Sequence, residues 1–149
     1  MGIPAAEVAT VLGGRRILGR RVQDGRDLDE LVREGVPKPA LERLVSLLAE
    51  PMSGDGTTLR IRLRNKIVPR TTYQRVEHFN LQVSETMERL ARLYALASQA
   101  FGKPAAAARF MMTPHPELSG RTPFDVALTE VGGREVEEVI ERGLHGLPA

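Results

Sequence analysis

The sequence predicts an all-α fold, and three observations lead to this prediction. Apolar residues recur every three or four positions in several segments, which is the spacing that places them on one face of a helix. Glycine and proline separate these segments at short intervals, as expected for brief helix–helix connections. Only 4% of the 149 residues are aromatic and none is Trp, so the core must consist mainly of aliphatic side chains. The pattern predicts about seven or eight helices.

The first predicted elements are short. Residues 4–13 predict one helix, whereas the basic segment 15–22 is compatible with a strand or an extended arm. Asp27 and Glu30 have the spacing of a capping box, in which each side chain accepts a backbone N–H at the start of a helix. That helix should end at Gly35, because glycine tolerates the left-handed conformation found after a helix.

Residues 57–66 fit two periodicities. Apolar and basic residues alternate from Leu59 to Arg64, as in a half-buried strand. Helix is nevertheless the preferred interpretation, because residues 68–76 (VPRTTYQRV) resemble the second half of a helix-turn-helix. The helix before residues 57–66 should end before Pro51 and bury a stripe of aliphatic residues, namely Leu41, Leu44, Val45 and Leu48.

The second half contains the clearest helix. Ser84 is the predicted N-cap, and Gly102 should end the helix. A further helical segment spans 105–112, and Thr122 followed by Pro123 predicts another helix start. After Gly132-Gly133 a final helix should bury Val136, Val139, Ile140 and Leu144. In the long helix that ends at Gly102, the predicted apolar stripe comprises Met87, Leu90, Leu93, Tyr94, Ala97 and Phe101.

Composition disfavours several functional classes. The chain has no Cys, so disulfides and thiolate metal sites are excluded, which suits a reducing bacterial cytoplasm. No apolar stretch approaches the roughly 18 residues of a membrane span, and the N-terminus lacks the features of a signal peptide. The three histidines, His78, His115 and His145, are too far apart for a ligand motif. Because no nucleophile or phosphate-binding signature is present either, we expect neither an enzyme nor a cofactor or metal.

The charge is unevenly distributed. Residues 1–80 carry 14 basic and 10 acidic side chains, and residues 81–149 carry 7 and 9, which gives net charges of +4 and −2. The segment from Arg60 to Arg75 contains no acid, and such a patch suits a polyanionic partner. A solvated basic helix face would explain it equally well. The predicted DNA-binding residues are Arg60, Arg62, Arg64, Lys66, Arg70, Thr71, Thr72, Gln74 and Arg75.

Short motifs follow one another in the C-terminal half. They are Ala100-Phe101-Gly102, Ala108-Arg109-Phe110-Met111, Pro116-Glu117-Leu118-Ser119-Gly120-Arg121-Thr122-Pro123-Phe124-Asp125, Gly132-Gly133-Arg134-Glu135-Val136 and Gly143-Leu144-His145-Gly146. Together they resemble the toxin-binding domain of the Xre/MbcA/ParS antitoxin family. The front half agrees, since Gly35-Val36-Pro37 and Pro69–Arg75 resemble that family's glycine–aliphatic–proline turn and the recognition segment of its Xre-like helix-turn-helix.

The resemblance implies an Xre-like helix-turn-helix region over 1–82, packed with a small helical toxin-binding domain over 83–149. It implies a type II antitoxin that covers the active site of a RES-domain toxin, an NAD-consuming enzyme, and that represses its own operon by binding operator DNA as a homodimer. The alternative is a transcriptional regulator that uses the C-terminal domain only to dimerise. The implied toxin-binding residues are Phe110, Leu118, Arg121, Thr122, Gly146, Leu147, Pro148 and Ala149.

Two positions depart from the family's usual pattern. Phe110 stands where Trp is common, which keeps an aromatic ring but loses the indole N–H. Pro116-Glu117 precede Leu118 where the family has an Asn in the arrangement Asn-x-x-Leu-x-Gly. Loss of that amide would remove a turn-capping side chain, so the loop should be held differently.

Overall fold

The structure, a computed structural model, describes residues 2–52, 54 and 56–144. Within these ranges it is all-helical, which confirms the predicted fold class; the extended pairing is limited to one isolated bridge between Pro37 and His78. No described helix is long and apolar enough to cross a bilayer. The helices are α1 (Ala5–Val11), α2 (Gly14–Leu18), α3 (Gly25–Glu34), α4 (Lys38–Ala49), α5 (Gly56–Ile67), α6 (Arg70–Arg75), α7 (Leu81–Phe101), α8 (Pro104–Met112), a 3-10 helix (Pro116–Leu118), α9 (Pro123–Val126) and α10 (Glu130–Leu144).

The long helix α7 organises the fold. It packs against α1 and α3 on the front half of the chain and against α8 and α10 on the back half. One cluster of buried apolar residues runs through both halves and includes Leu44 of α4 and Phe124 of α9. The predicted domain boundary between residues 82 and 83 falls inside α7, so the two segments share a core; the division into domains stays a prediction.

The start of α7 corrects the predicted cap. Asn80, not Ser84, is the N-cap, because its side chain accepts the Val83 N–H at 2.9 Å. Ser84 lies one turn inside the helix and is fully buried. Its hydroxyl accepts the Val36 N–H at 3.0 Å and donates to the Phe79 carbonyl at 3.3 Å, so it joins α7 to the turn before α4.

The elements before α4 differ from prediction in two places. Residues 15–22, expected as a strand or an arm, contribute the short helix α2. The N-cap of α3 is Asp24, whose carboxylate accepts the Asp27 N–H, while Asp27 reaches back to the Gln23 N–H, both at 2.9 Å. The reciprocal cap therefore exists, but it begins three residues earlier than Asp27–Glu30. Gly35 ends α3 at a positive φ of 106°, as predicted, and a Cβ there would lie 2.6 Å from the Phe79 carbonyl oxygen.

Residues 57–66 are helical, which confirms the preferred interpretation over the strand. The burial pattern explains the choice: Leu59 is half-buried, Leu63 and Ile67 are buried, and Ile61 is 42% exposed. The residues that the core needs are therefore spaced by four, and the alternation with arginine is incidental. Two residues, Val68 and Pro69, separate α5 from α6, and the helix-turn-helix stays a prediction.

Gly132 and Gly133 lie within α10 rather than before it. A Cβ on Gly132 would lie 1.8 Å from the Val126 carbonyl oxygen, and one on Gly133 would lie 2.6 Å from Cδ of Arg89. Arg89 is a buried arginine of α7 that donates to the Ala127 carbonyl at 3.1 Å. The two glycines thus permit close packing of α10 on α9 and α7, and they do not mark a helix break.

Candidate functional site

The short helix α6 presents a polar, basic face. Arg70, Thr71, Gln74 and Arg75 are exposed, and Thr72 is half-buried. This is the outward set that a helix starting after Pro69 should present. Guanidinium, hydroxyl and amide groups together are the side chains that reach phosphate oxygens and base edges.

Tyr73 joins α6 to α4 and α5 through its side chain. The helix has no fully buried residue, but the Tyr73 ring has the Lys38 ammonium and the Arg64 guanidinium each 4.1 Å from its centroid. Its hydroxyl donates to the Glu42 carboxylate, which also pairs with Arg64 at 3.7 Å. Burial, and then this hydrogen bond, raise the pKa of the Tyr73 phenol. The contacts orient α6 and leave its other side free.

The basic run of the sequence divides into two groups in space. Arg64 pairs with Glu42 at 3.7 Å and Lys66 with Asp125 of α9 at 2.8 Å, so both are neutralised within the chain. Arg62 and Arg70 are exposed. Arg60 donates to the Thr57 hydroxyl at 3.1 Å and Arg75 to the Thr71 carbonyl at 3.4 Å, and neither contact is with a carboxylate.

The predicted toxin-binding residues also separate. Leu118 is 2% exposed, so its side chain belongs to the core. Thr122 accepts the Asp125 N–H at 3.1 Å and is the N-cap of α9, as the sequence predicted. Phe110 is half-buried and Arg121 is exposed, so these two reach the surface. Gly146, Leu147, Pro148 and Ala149 lie outside the described residues.

Phe110 belongs to a surface aromatic cluster that the sequence did not predict. Its ring centroid lies 5.2 Å from that of Phe101 and 6.0 Å from that of His115, the latter in an edge-on arrangement. Phe101, at the end of α7, remains 38% exposed. We call Phe101, Phe110 and His115 the aromatic cluster.

His115 corrects the expectation for the following loop. Its Nδ1 accepts the Glu117 N–H at 3.1 Å, so the imidazole caps the 3-10 helix. Counting back from Leu118 and Gly120 in Asn-x-x-Leu-x-Gly, the Asn position is residue 115, not Pro116-Glu117. The cap that the sequence predicted to be missing is therefore present, and an imidazole provides it. That spacing was the signal that would have identified His115.

Other contributors could not be found from the sequence. Lys38 and Glu42 precede Tyr73 by about one fifth of the chain, and no local pattern connects them with α6. Across residues 2–52, 54 and 56–144, no group of three His, Asp or Glu side chains is arranged to hold a metal ion.

Comparison with known proteins gives two matches. Residues 96–146 match the family model described as "Antitoxin Xre/MbcA/ParS C-terminal toxin-binding domain". The chain is also 32% identical over 81 residues to a protein of Pseudomonas putida named "Antitoxin Xre", an alignment that covers 52% of this chain and 51% of that protein. The chain thus spans about half the length of this curated relative.

Proposed function

We propose that this chain is the antitoxin of a toxin–antitoxin pair and neutralises a protein toxin by binding it through its C-terminal helices. The match of residues 96–146 to a toxin-binding domain carries the proposal. Those residues include the end of α7 and all of α8 and α9, the elements around the half-buried Phe110 and the exposed Arg121. Neutralisation by covering a surface requires no reaction by this chain, in keeping with the absence of catalytic motifs from its sequence.

The proposed toxin is a RES-domain enzyme that consumes NAD, and the proposed mode is occlusion of its active-site cleft as a type II, protein–protein system. The C-terminal segment Gly146–Ala149 is proposed to form part of the toxin contact. We expect a homodimer that acts in the bacterial cytoplasm.

Growth rescue tests this function. A RES-domain toxin encoded beside this chain's gene is induced with and without the chain, and rescue together with co-purification is expected. A variant that lacks Leu147–Ala149 should rescue less well, and full rescue by that variant would exclude a role for the tail. If the intact chain neither rescues growth nor binds the toxin, the remaining function is that of a transcriptional regulator whose C-terminal helices serve only to dimerise.

We further propose that α6 binds operator DNA and that the chain thereby represses its own operon. The exposed set Arg70, Thr71, Gln74 and Arg75 supports this, because it combines cations with hydrogen-bonding groups on one outward face. Removing two phosphate contacts should lower the salt dependence of binding by about two units of log–log slope.

The variant Arg70→Ala/Arg75→Ala tests this contact. Its affinity for the chain's own upstream DNA should fall and its salt slope should flatten. Arg26→Ala, which removes an exposed cation from α3, is the matched control and should bind like the wild type. Wild-type affinity of the double variant would exclude α6 as the DNA-contacting helix.

A further inference from the structure

We propose that His115 is a specificity-determining residue of the toxin-binding surface and that its Nε2–H donates a hydrogen bond to an acidic side chain of the toxin. This rests on the proposed antitoxin function and identifies the chemistry of the partner. The donor belongs to the aromatic cluster, so the matching toxin surface combines an apolar group with an Asp or Glu carboxylate.

The first observation is the orientation of the ring. Because Nδ1 accepts the Glu117 N–H, the ring proton of a singly protonated imidazole must be on Nε2. Among the described residues, Nε2 has no acceptor of its own, and His115 is only half-buried. A buried donor without an acceptor would be costly, but a surface donor is available to a partner.

The second observation is the rigidity of the backbone beside the ring. The His115 N–H donates to the Arg121 carbonyl at 3.1 Å, and the His115 carbonyl accepts the N–H groups of Leu118 and Gly120, both at 3.0 Å. The edge-on contact with Phe110 restricts the ring itself. A donor held in this way loses little conformational entropy when it binds, which favours affinity and selectivity.

The third observation is the surroundings of the cluster. Phe101 and Phe110 supply a partly exposed apolar surface, of the kind that commonly anchors protein interfaces. The carboxylate of Glu117 is already paired with Arg142, whereas the exposed Arg121 has no carboxylate partner in the described part of the chain. His115 and Arg121 are joined by their backbones, and an imidazole donor together with a guanidinium that has no carboxylate partner favours an acidic partner.

Two substitutions separate the donor from the cap. His115→Asn places an amide oxygen near the position of Nδ1 and keeps the cap, but it lacks a donor at the Nε2 position. His115→Gln can place an N–H near Nε2 but is too long to keep the cap. The measurements are the melting temperature of each full-length variant and its Kd for the co-expressed RES-domain toxin.

We expect His115→Asn to melt like the wild type but to bind the toxin about 10- to 100-fold more weakly, as for loss of a hydrogen bond to a charged group. His115→Gln should melt lower yet bind more tightly than His115→Asn. The proposal would be overturned if the two variants lose toxin affinity in the same order as they lose melting temperature. It would also be overturned if the Kd of His115→Asn lies within about twofold of the wild-type Kd. If the wild-type chain itself does not bind the toxin, the antitoxin function fails, and this inference fails with it.

Discussion

Gly132→Ala is expected to destabilise the protein, against the usual effect of this change in a helix. Alanine is about 1 kcal/mol more favourable than glycine inside a helix, so the intrinsic term stabilises the variant. The new Cβ would, however, lie 1.8 Å from the Val126 carbonyl oxygen and 2.8 Å from its carbon. Both are backbone atoms, which cannot move without displacing α9 or α10.

Steric crowding of a packed interior costs about 1–3 kcal/mol and occasionally more, and a contact this short belongs at the upper end or beyond. After subtraction of the intrinsic gain, about 2 kcal/mol of net destabilisation remains. For a chain of this length, that corresponds to a melting temperature about 4–8 °C lower.

Gly143→Ala is the matched control in the same helix. Its Cβ would lie 3.7 Å from Cε1 of Phe101, an ordinary van der Waals distance, and the residue is exposed. This variant should therefore keep or slightly raise the melting temperature, by up to about 1 kcal/mol of stability. Urea unfolding of the three proteins measures both effects. Gly132→Ala that is as stable as the wild type would refute the close packing of α9 on α10.

Three further changes have expected outcomes. Asp24→Ala should lower the free energy of unfolding by about 1 kcal/mol in urea titrations, because it removes the N-cap of α3. A double-mutant cycle with Lys66→Met and Asp125→Asn should give a coupling of at most about 1 kcal/mol that weakens with added salt, because both side chains are half-exposed. Stability should fall above about pH 10, because burial raises the phenol pKa of Tyr73 and of Tyr94 in the folded state. Between the unfolded and folded pKa values the unfolded chain has lost the proton that the folded chain retains, so rising pH favours unfolding; Tyr94→Phe should reduce this dependence.

The sequence predicted those features that depend on neighbouring residues. Gly102 ends α7 and Thr122 begins α9, because a left-handed C-cap and an N-cap hydroxyl act within one turn of the helix. The N-caps of α3 and α7 differ from the prediction because several polar residues lie within four positions of each helix start. Tertiary packing decides which of them caps the helix. Ser84 does not cap α7, since its hydroxyl bonds to the Val36 N–H instead.

Features that depend on distant residues were not predictable. The glycine pair Gly132-Gly133 resembles a helix break in the sequence. Only the structure shows that Gly132 is glycine because the Val126 carbonyl lies against it inside α10. The residues that orient α6 had no local signature in the sequence. Lys38 and Glu42 reach Tyr73 from α4, and periodicity within a segment carries no information about such contacts.

The ion pair between Lys66 and Asp125 joins α5 to α9, which belong to the regions proposed to bind DNA and toxin. Lys66 lies on α5, next to α6, the helix proposed to contact DNA, and Asp125 lies on α9 within the residues that match a toxin-binding domain. A toxin that engages Asp125 would release Lys66 to bind phosphate, and by linkage DNA would favour toxin binding equally. Because a half-exposed pair contributes at most about 1 kcal/mol, it can change DNA affinity only about fivefold. If toxin changes DNA affinity about fivefold and Lys66→Met abolishes that change, the ion pair is the link. If the toxin changes DNA affinity much more and the change survives the substitution, its cause lies elsewhere, such as in the geometry of a dimer.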